Sequence, residues 1–266
     1  MLKSKVVTIA AAKPKRIDIT AEFAELQKNY ASDPRQSTFN VLLLGDGGTG
    51  KTYMSKTCEM PVHFDSFDPG GTKSVRDLIA KGLIYADTRF ENEDPLNPTA
   101  FALWETEFKR RKAGGYFEQI GTYYLDSSTM WAQAAMNLIL KKAGRPGKAP
   151  LFNKDYTPQK IAVRNYLLQI LDLPCDVVVT GHLAMNTDEV TGRVTYRYQT
   201  TGRGTVELPT LFDEVYVMDP VETSKGIQRR ILTTATGRHM ARSRLGMPMY
   251  VDPDFKAIKK LAGIKP

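Results

Sequence analysis

The sequence is poor in cysteine and histidine. Its two cysteines, Cys58 and Cys175, cannot build a disulfide framework and lie at no metal-ligand spacing. A reducing, cytosolic setting is therefore expected. The three histidines, His63, His182 and His239, are scattered and form no ligand pair, which argues against a zinc or iron centre. No stretch approaches the roughly 18 uninterrupted apolar residues of a membrane-spanning helix. Internal repeats and a low-complexity tail are also missing. The apolar run from Val6 to Ala12 follows Lys3 and Lys5, as in a secretion signal, but it is short and closes on Lys13, Lys15 and Arg16. A basic arm is the expected reading.

What remains is an ordinary globular composition. The 266 residues are 42% hydrophobic and 25% charged, enough to bury a sizeable core. One α/β domain with embellishments is the economical expectation. Basic residues exceed acidic ones, giving a net charge of +8, which favours a polyanionic partner without requiring one. They gather in the N-terminal arm, at 109–112, at 141–148 and from Arg229 through Arg244.

Phe23, Leu26 and Tyr30 predict a short amphipathic helix over 20–30. Phe39 to Leu44 reads as a buried parallel strand, leading into a glycine-rich loop and a helix from about Lys51. Further strands are predicted at 62–67, 83–86, 122–125, 176–180, 215–218 and 227–234, with a surface hairpin over 190–198. Helices are predicted at 74–81, 101–112, 130–142 and 158–171. Residues 1–38 then form a basic arm and short helix, 39–245 the core, and 246–266 a C-terminal tail.

Residues 45–52, GDGGTGKT, satisfy G-x-x-x-x-G-K-[ST] at every fixed position. Gly45, Gly47, Gly48 and Gly50 allow consecutive amide N–H groups to converge on phosphate oxygens. Asp46, Thr49 and Tyr53 complete the stretch expected against a nucleotide. Lys51 supplies a point charge to the β- and γ-phosphates, and the Thr52 hydroxyl a ligand to magnesium. The following helix N-terminus adds partial positive charge. ATP and Mg2+ are the expected cofactors.

A second acid is needed for magnesium, and Asp126, closing the strand Tyr123-Tyr124-Leu125, has the right setting. For a group that orients or deprotonates water, the segment FDSFDPGG offers Asp65 and Asp68, with Asp68 favoured; capping of the next helix is the alternative role. His182 ends the strand VVVTG, where it can sense a γ-phosphate or serve as a structural histidine.

These segments, in this order from about Phe39 to Arg244, resemble the RecA-like ATPase core. Within it they resemble the phage nucleotide-binding proteins related to single-strand-annealing recombinases. The resemblance implies an α/β fold, a RecA-like P-loop NTPase core with a mainly parallel sheet flanked by helices, plus a β-hairpin and C-terminal strands. The family's catalytic Glu falls on Phe67 here. Either Asp68 substitutes from one residue further on, or binding matters more than turnover. The family's γ-phosphate sensor falls on His182, and in the family the loop after it binds DNA, which would make Leu183 to Thr201 the DNA-facing element.

That loop holds Arg193, Tyr196, Arg197 and Tyr198, with Arg203 following, a basic and aromatic mixture suited to single-stranded DNA or to an ordinary exposed hairpin. RecA-like sites are completed by a neighbouring subunit, and Arg242 and Arg244 are the candidate donors, ahead of Arg238. The resemblance thus implies a homo-oligomer, ring or filament, acting on single-stranded DNA in phage recombination or replication, in the cytoplasm of an infected bacterial host. A phage single-strand-binding protein is a possible further partner. Packaging or helicase-loading motors and nucleotide-dependent switches are the alternatives.

Overall fold

The computed structural model describes residues 17–33, 36, 38–152, 154–200 and 204–264. The expected arm at 1–16 and Arg203 lie outside the described residues.

In chain order the elements are α1 (Ile19–Ser32), β1 (Asn40–Leu44), β2 (Val62–Ser66), α2 (Arg76–Ala80), β3 (Ile84–Asp87) and α3 (Ala100–Ala113). They continue with β4 (Thr122–Asp126), α4 (Ser128–Lys142), α5 (Tyr156–Leu171), β5 (Asp176–Gly181), β6 (Leu183–Thr187) and β7 (Val194–Tyr198). The chain closes with α6 (Gly204–Glu207), β8 (Glu214–Thr223), β9 (Gly226–Leu232), β10 (Tyr250–Val251) and α7 (Phe255–Leu261).

Strands β1, β4 and β5 are buried on both faces, as their apolar central residues require, and so occupy the middle of the sheet. The sheet runs β10-β9-β8-β1-β5-β4-β2-β3. Pairing is parallel from β8 through β3, while β8-β9 and β9-β10 are antiparallel. The sequence expectation of an α/β core with a mainly parallel central sheet flanked by helices, plus a β-hairpin and C-terminal strands, is met; the C-terminal strands pair antiparallel.

The pleat divides the core between two faces. Leu42 and Leu44 point with Trp104, Trp131 and Leu167 toward α3, α4 and α5. Val41 and Leu43 point the other way, with Met54, Phe255 and Ile258. Trp104 is fully buried, and its removal is worth roughly 3–5 kcal/mol.

Several expectations are corrected. After the glycine-rich loop the chain forms a 3-10 turn, Thr52–Thr57, rather than an α-helix. The predicted tail joins the core: β10 pairs with β9, Phe255 meets Phe39 at 5.9 Å, and Lys259 bonds the buried carboxylate of Asp176 at 2.7 Å. The N-terminal helix is present, capped by Asp18, and buries none of its residues.

Parallel pairing sets the C-terminal ends of β1, β5, β4 and β2 along one edge of the sheet, where ligands bind in open α/β folds. The glycine-rich loop, His182, Asp126 and Asp68 follow directly from those ends.

Candidate nucleotide-binding site

The loop from Gly45 to Thr52 borders a cavity of about 780 Å³, also lined by Asp68, His182, Met218, Arg229 and Pro253. Gly45 is required by space: a Cβ there would lie 2.8 Å from Thr49 Oγ1 and 3.0 Å from Met218 Cβ. Gly50 is required by backbone, with φ at +104°. Thr49 Oγ1 donates to the Asp46 carbonyl at 2.9 Å, holding the loop closed on itself. Lys51 Nζ donates at 2.9 Å to the carbonyls of Gly45 and Asp46. Burial lowers the pKa of its ammonium, and the charges of Asp126 and Asp68 oppose that shift. Tyr53 stands exposed at the cavity wall.

Asp126 is buried at 1% exposure. Its Oδ2 accepts from Thr52 Oγ1 at 2.6 Å, and its Oδ1 accepts from Thr180 Oγ1. Burial raises its pKa, and both hydroxyl donors resist that shift. Thr52 and Asp126 present only oxygen ligands, the donor type that magnesium prefers. Among the described residues no cluster of three or more His, Cys, Asp or Glu could hold a metal by itself. The oxygens of Thr52 and Asp126 suit an ion that would complete its shell with phosphate and water.

Asp68 Oδ1 accepts from Ser127 Oγ at 2.7 Å, and Oδ2 from His182 Nε2 at 3.1 Å. Burial raises the Asp68 pKa, but the two hydrogen bonds outweigh it and hold the carboxyl below its usual range. Glu91 braces the segment, accepting from Ser66 Oγ at 2.7 Å and from the Gly70 N–H at 2.9 Å. Asp68 thus belongs to the site. Asp65 does not: buried at 1% exposure, it accepts from Trp104 Nε1, Tyr123 OH and Arg111 beneath α3. Phe67, where the RecA-like resemblance leads one to expect a Glu, stacks on Phe90 with centroids 5.1 Å apart, inside the core.

His182 is tied to neighbouring elements as well as to Asp68. Its N–H donates to Thr129 Oγ1 at 3.0 Å, and its carbonyl accepts from the Gln199 N–H at 2.8 Å. The β6-β7 hairpin therefore springs from the same residue that faces the cavity. On it, Arg197 is exposed, Arg193 donates to the Gly237 carbonyl at 2.8 Å, and Tyr196 stacks on His239 at 4.9 Å. Tyr198 requires correction as a DNA-facing residue. It is buried at 1% exposure, with its hydroxyl 2.7 Å from Ser128 Oγ, because it occupies the inward position at the hairpin base.

Arg242 and Arg244 are not brought to the chain's own loop. Arg242 pairs with Val215 near the start of β8, and its guanidinium donates to the carbonyls of Pro209 and Phe212. Arg244 bonds Asp213 at 2.9 Å at the same end. That end lies opposite the glycine-rich loop, since β8 runs parallel to β1.

Sequence reasoning missed Thr180, Ser127, Glu91, Arg229 and Pro253. Thr180 carried a usable signal, a hydroxyl at the end of an otherwise apolar buried strand. Arg229 and Pro253 carried none, because only the folded β8-β9 pair and the returning C-terminal segment bring them to the cavity.

A phosphate cradle at the end of a central parallel strand, with an acid one strand beyond the neighbouring strand, defines a P-loop ATPase domain. The chain belongs to the AAA domain family, whose profile matches residues 37–245. No curated protein matches the chain. A solved KaiC-like protein from the hyperthermophilic archaeon Pyrococcus horikoshii OT3 is 16% identical over 72% of this chain and 76% of its own, with a TM-score of 0.40. A TM-score of that size supports no transfer of function. Among the described residues no helix is long and apolar enough to cross a membrane.

Proposed function

We propose that the protein is a magnesium-dependent, DNA-stimulated ATPase that assembles as a homo-oligomer on single-stranded DNA, in phage recombination or replication. The observation that carries this reading is the root of the β6-β7 hairpin on His182, which also bonds Asp68 beside the phosphate cradle. An exposed basic and aromatic hairpin fixed to a γ-phosphate-facing residue links strand occupancy to nucleotide state.

In this reading the loop amides and Lys51 bind the phosphates, while Thr52 and Asp126 hold magnesium. Magnesium, when bound, supplies charge that offsets the negative charge developing on the phosphates. Asp68, kept ionised by Ser127 and His182, orients the attacking water and accepts its proton. His182 relays the change at the γ-phosphate to the hairpin through Thr129 and Gln199. Arg197, Arg193 and Tyr196 meet the strand, cations on phosphate and ring on base. A neighbouring copy brings Arg244 toward the phosphates; Arg242 is the weaker donor because its own chain's carbonyls occupy it. A phage single-strand-binding protein supplies the strand.

The test is steady-state ATP hydrolysis with and without single-stranded DNA. Stimulation of at least roughly tenfold supports the reading; equal rates together with no strand binding refute it.

A second reading is favoured by Phe67. With a buried aromatic ring where the family places a carboxylate, the protein acts as a nucleotide-dependent switch with little turnover. Tight ATP binding with no DNA-dependent hydrolysis selects it.

A further inference from the structure

The strand order gives the cavity two ends. Asp126, Asp68 and His182 come from β4, β2 and β5, all on one side of β1, and mark where the terminal phosphate lies. The cavity continues across the loop to the other side of β1, where β8 and β9 contribute Met218 and Arg229. A nucleotide whose phosphates occupy the loop must extend its nucleoside in that direction.

Arg229 is built into that end. Its Cδ and Met218 Cε lie 3.3 and 3.5 Å from where a Gly50 Cβ would be, so its stem packs on the loop through the gap the glycine leaves. Its neighbour Arg230 is engaged, bonded to Asp219 at 2.8 Å and stacked over the Tyr250 ring at 3.7 Å. The Arg229 guanidinium has no hydrogen-bond or ion-pair partner among the described residues. Pro253 lines the same cavity, held there by the Phe255 N–H, which donates to Thr57 Oγ1 at 3.0 Å just past the loop.

We infer that Arg229 holds the nucleoside end of the bound nucleotide, its planar guanidinium lying against the base over the apolar floor of Met218. This rests on the nucleotide-binding reading above. Arginine suits the role because its flat, weakly hydrated cation stacks on ring faces, whereas a lysine ammonium of equal charge cannot. Arg229 is a binding residue supplied by the chain's own β9, independent of any neighbouring copy.

The experiment is equilibrium binding of fluorescent ATP and ADP to the full chain, wild type, Arg229→Ala, Arg229→Lys and Lys51→Ala, with tripolyphosphate as a competitor that lacks a nucleoside. The proposal expects Arg229→Ala to weaken ATP and ADP equally, by roughly tenfold, and Arg229→Lys to recover little. Tripolyphosphate should compete equally well for the wild type and both Arg229 variants. Unchanged nucleotide affinity in Arg229→Ala overturns it. So does an equal loss for tripolyphosphate, which makes Arg229 a phosphate contact, or full recovery by Lys, which makes charge alone sufficient. Failure of the wild type to bind any nucleotide sinks the underlying reading instead, and Lys51→Ala reports on that reading separately.

Discussion

His182 Nε2 donates to Asp68 Oδ2 at 3.1 Å, joining the end of β5 to the segment after β2 across the intervening β4. The contact ties Asp68, whose carboxyl is held below its usual range, to a residue whose backbone anchors the β6-β7 hairpin. Asp68→Asn is expected to lower ATP turnover by about 10²–10⁴-fold, the range of a lost general base, with nucleotide affinity changed less than about fivefold. His182→Ala should leave measurable hydrolysis but erase its response to single-stranded DNA. Steady-state rates with and without DNA, paired with nucleotide titrations, check both.

Asp126 accepts from the Thr52 hydroxyl at 2.6 Å, so in the proposed function the two would act as one magnesium ligand set. Asp126→Asn is expected to cut turnover by at least about 10²-fold, and Thr52→Ala similarly, with the double variant little worse than either single one. Additive losses in a double-mutant cycle of hydrolysis rates would separate them.

The hairpin offers a contrast between adjacent residues. Arg197 is exposed and Tyr198 is buried. Arg197→Ala should weaken single-stranded DNA binding and reduce its salt dependence by about one phosphate contact, with stability unchanged. Tyr198→Ala should cost about 3–5 kcal/mol of stability, as other buried aromatics do. Filter binding at several salt concentrations and urea unfolding distinguish the two.

The buried network beneath α3 predicts a pH effect away from the site. Burial raises the Asp87 pKa, but hydrogen bonds from Arg89 and Arg111 overcome it and hold the carboxyl well below the usual range. Its folded pKa is depressed, so its contribution is fully present above the unfolded value, about 3.9, and is lost as pH falls toward the folded one. Asp87→Asn should destabilise by about 3 kcal/mol at pH 7, because the buried Arg111 loses its shortest ion pair and keeps only the longer ones to Asp65 and Glu107. The gap from wild type should narrow below pH of about 4, read from urea midpoints.

Strand-level architecture was legible because β1, β4 and β5 are short, apolar in their central residues and closed by or followed by polar or glycine residues, a pattern that burial on both faces imposes. The phosphate loop was legible because its chemistry fixes residues at consecutive positions. Asp68 and His182 were readable as candidates, since each follows a strand end. Their mutual contact was not, because it depends on strand order. Tyr198 misled because aromatic residues serve DNA faces and cores alike, and only register decides which way a strand residue points. The segment after 245 lacked a long periodic run, so the packing of Phe255 and Ile258 stayed hidden. Arg242 and Arg244 were legible as candidate donors to a neighbouring copy, but their place at the end of the sheet opposite the loop was not, because it depends on the pairing of Arg242 with Val215 at the start of β8.

The central claim is that Gly45 to Thr52 binds a nucleotide by its phosphates. The most direct measurement is equilibrium binding of ATP to wild type and Lys51→Ala, both verified as folded by unfolding midpoint. The account predicts saturable binding by the wild type, and affinity at least about 50-fold weaker once the loop's ammonium is gone. Equal affinity in the two proteins would contradict it.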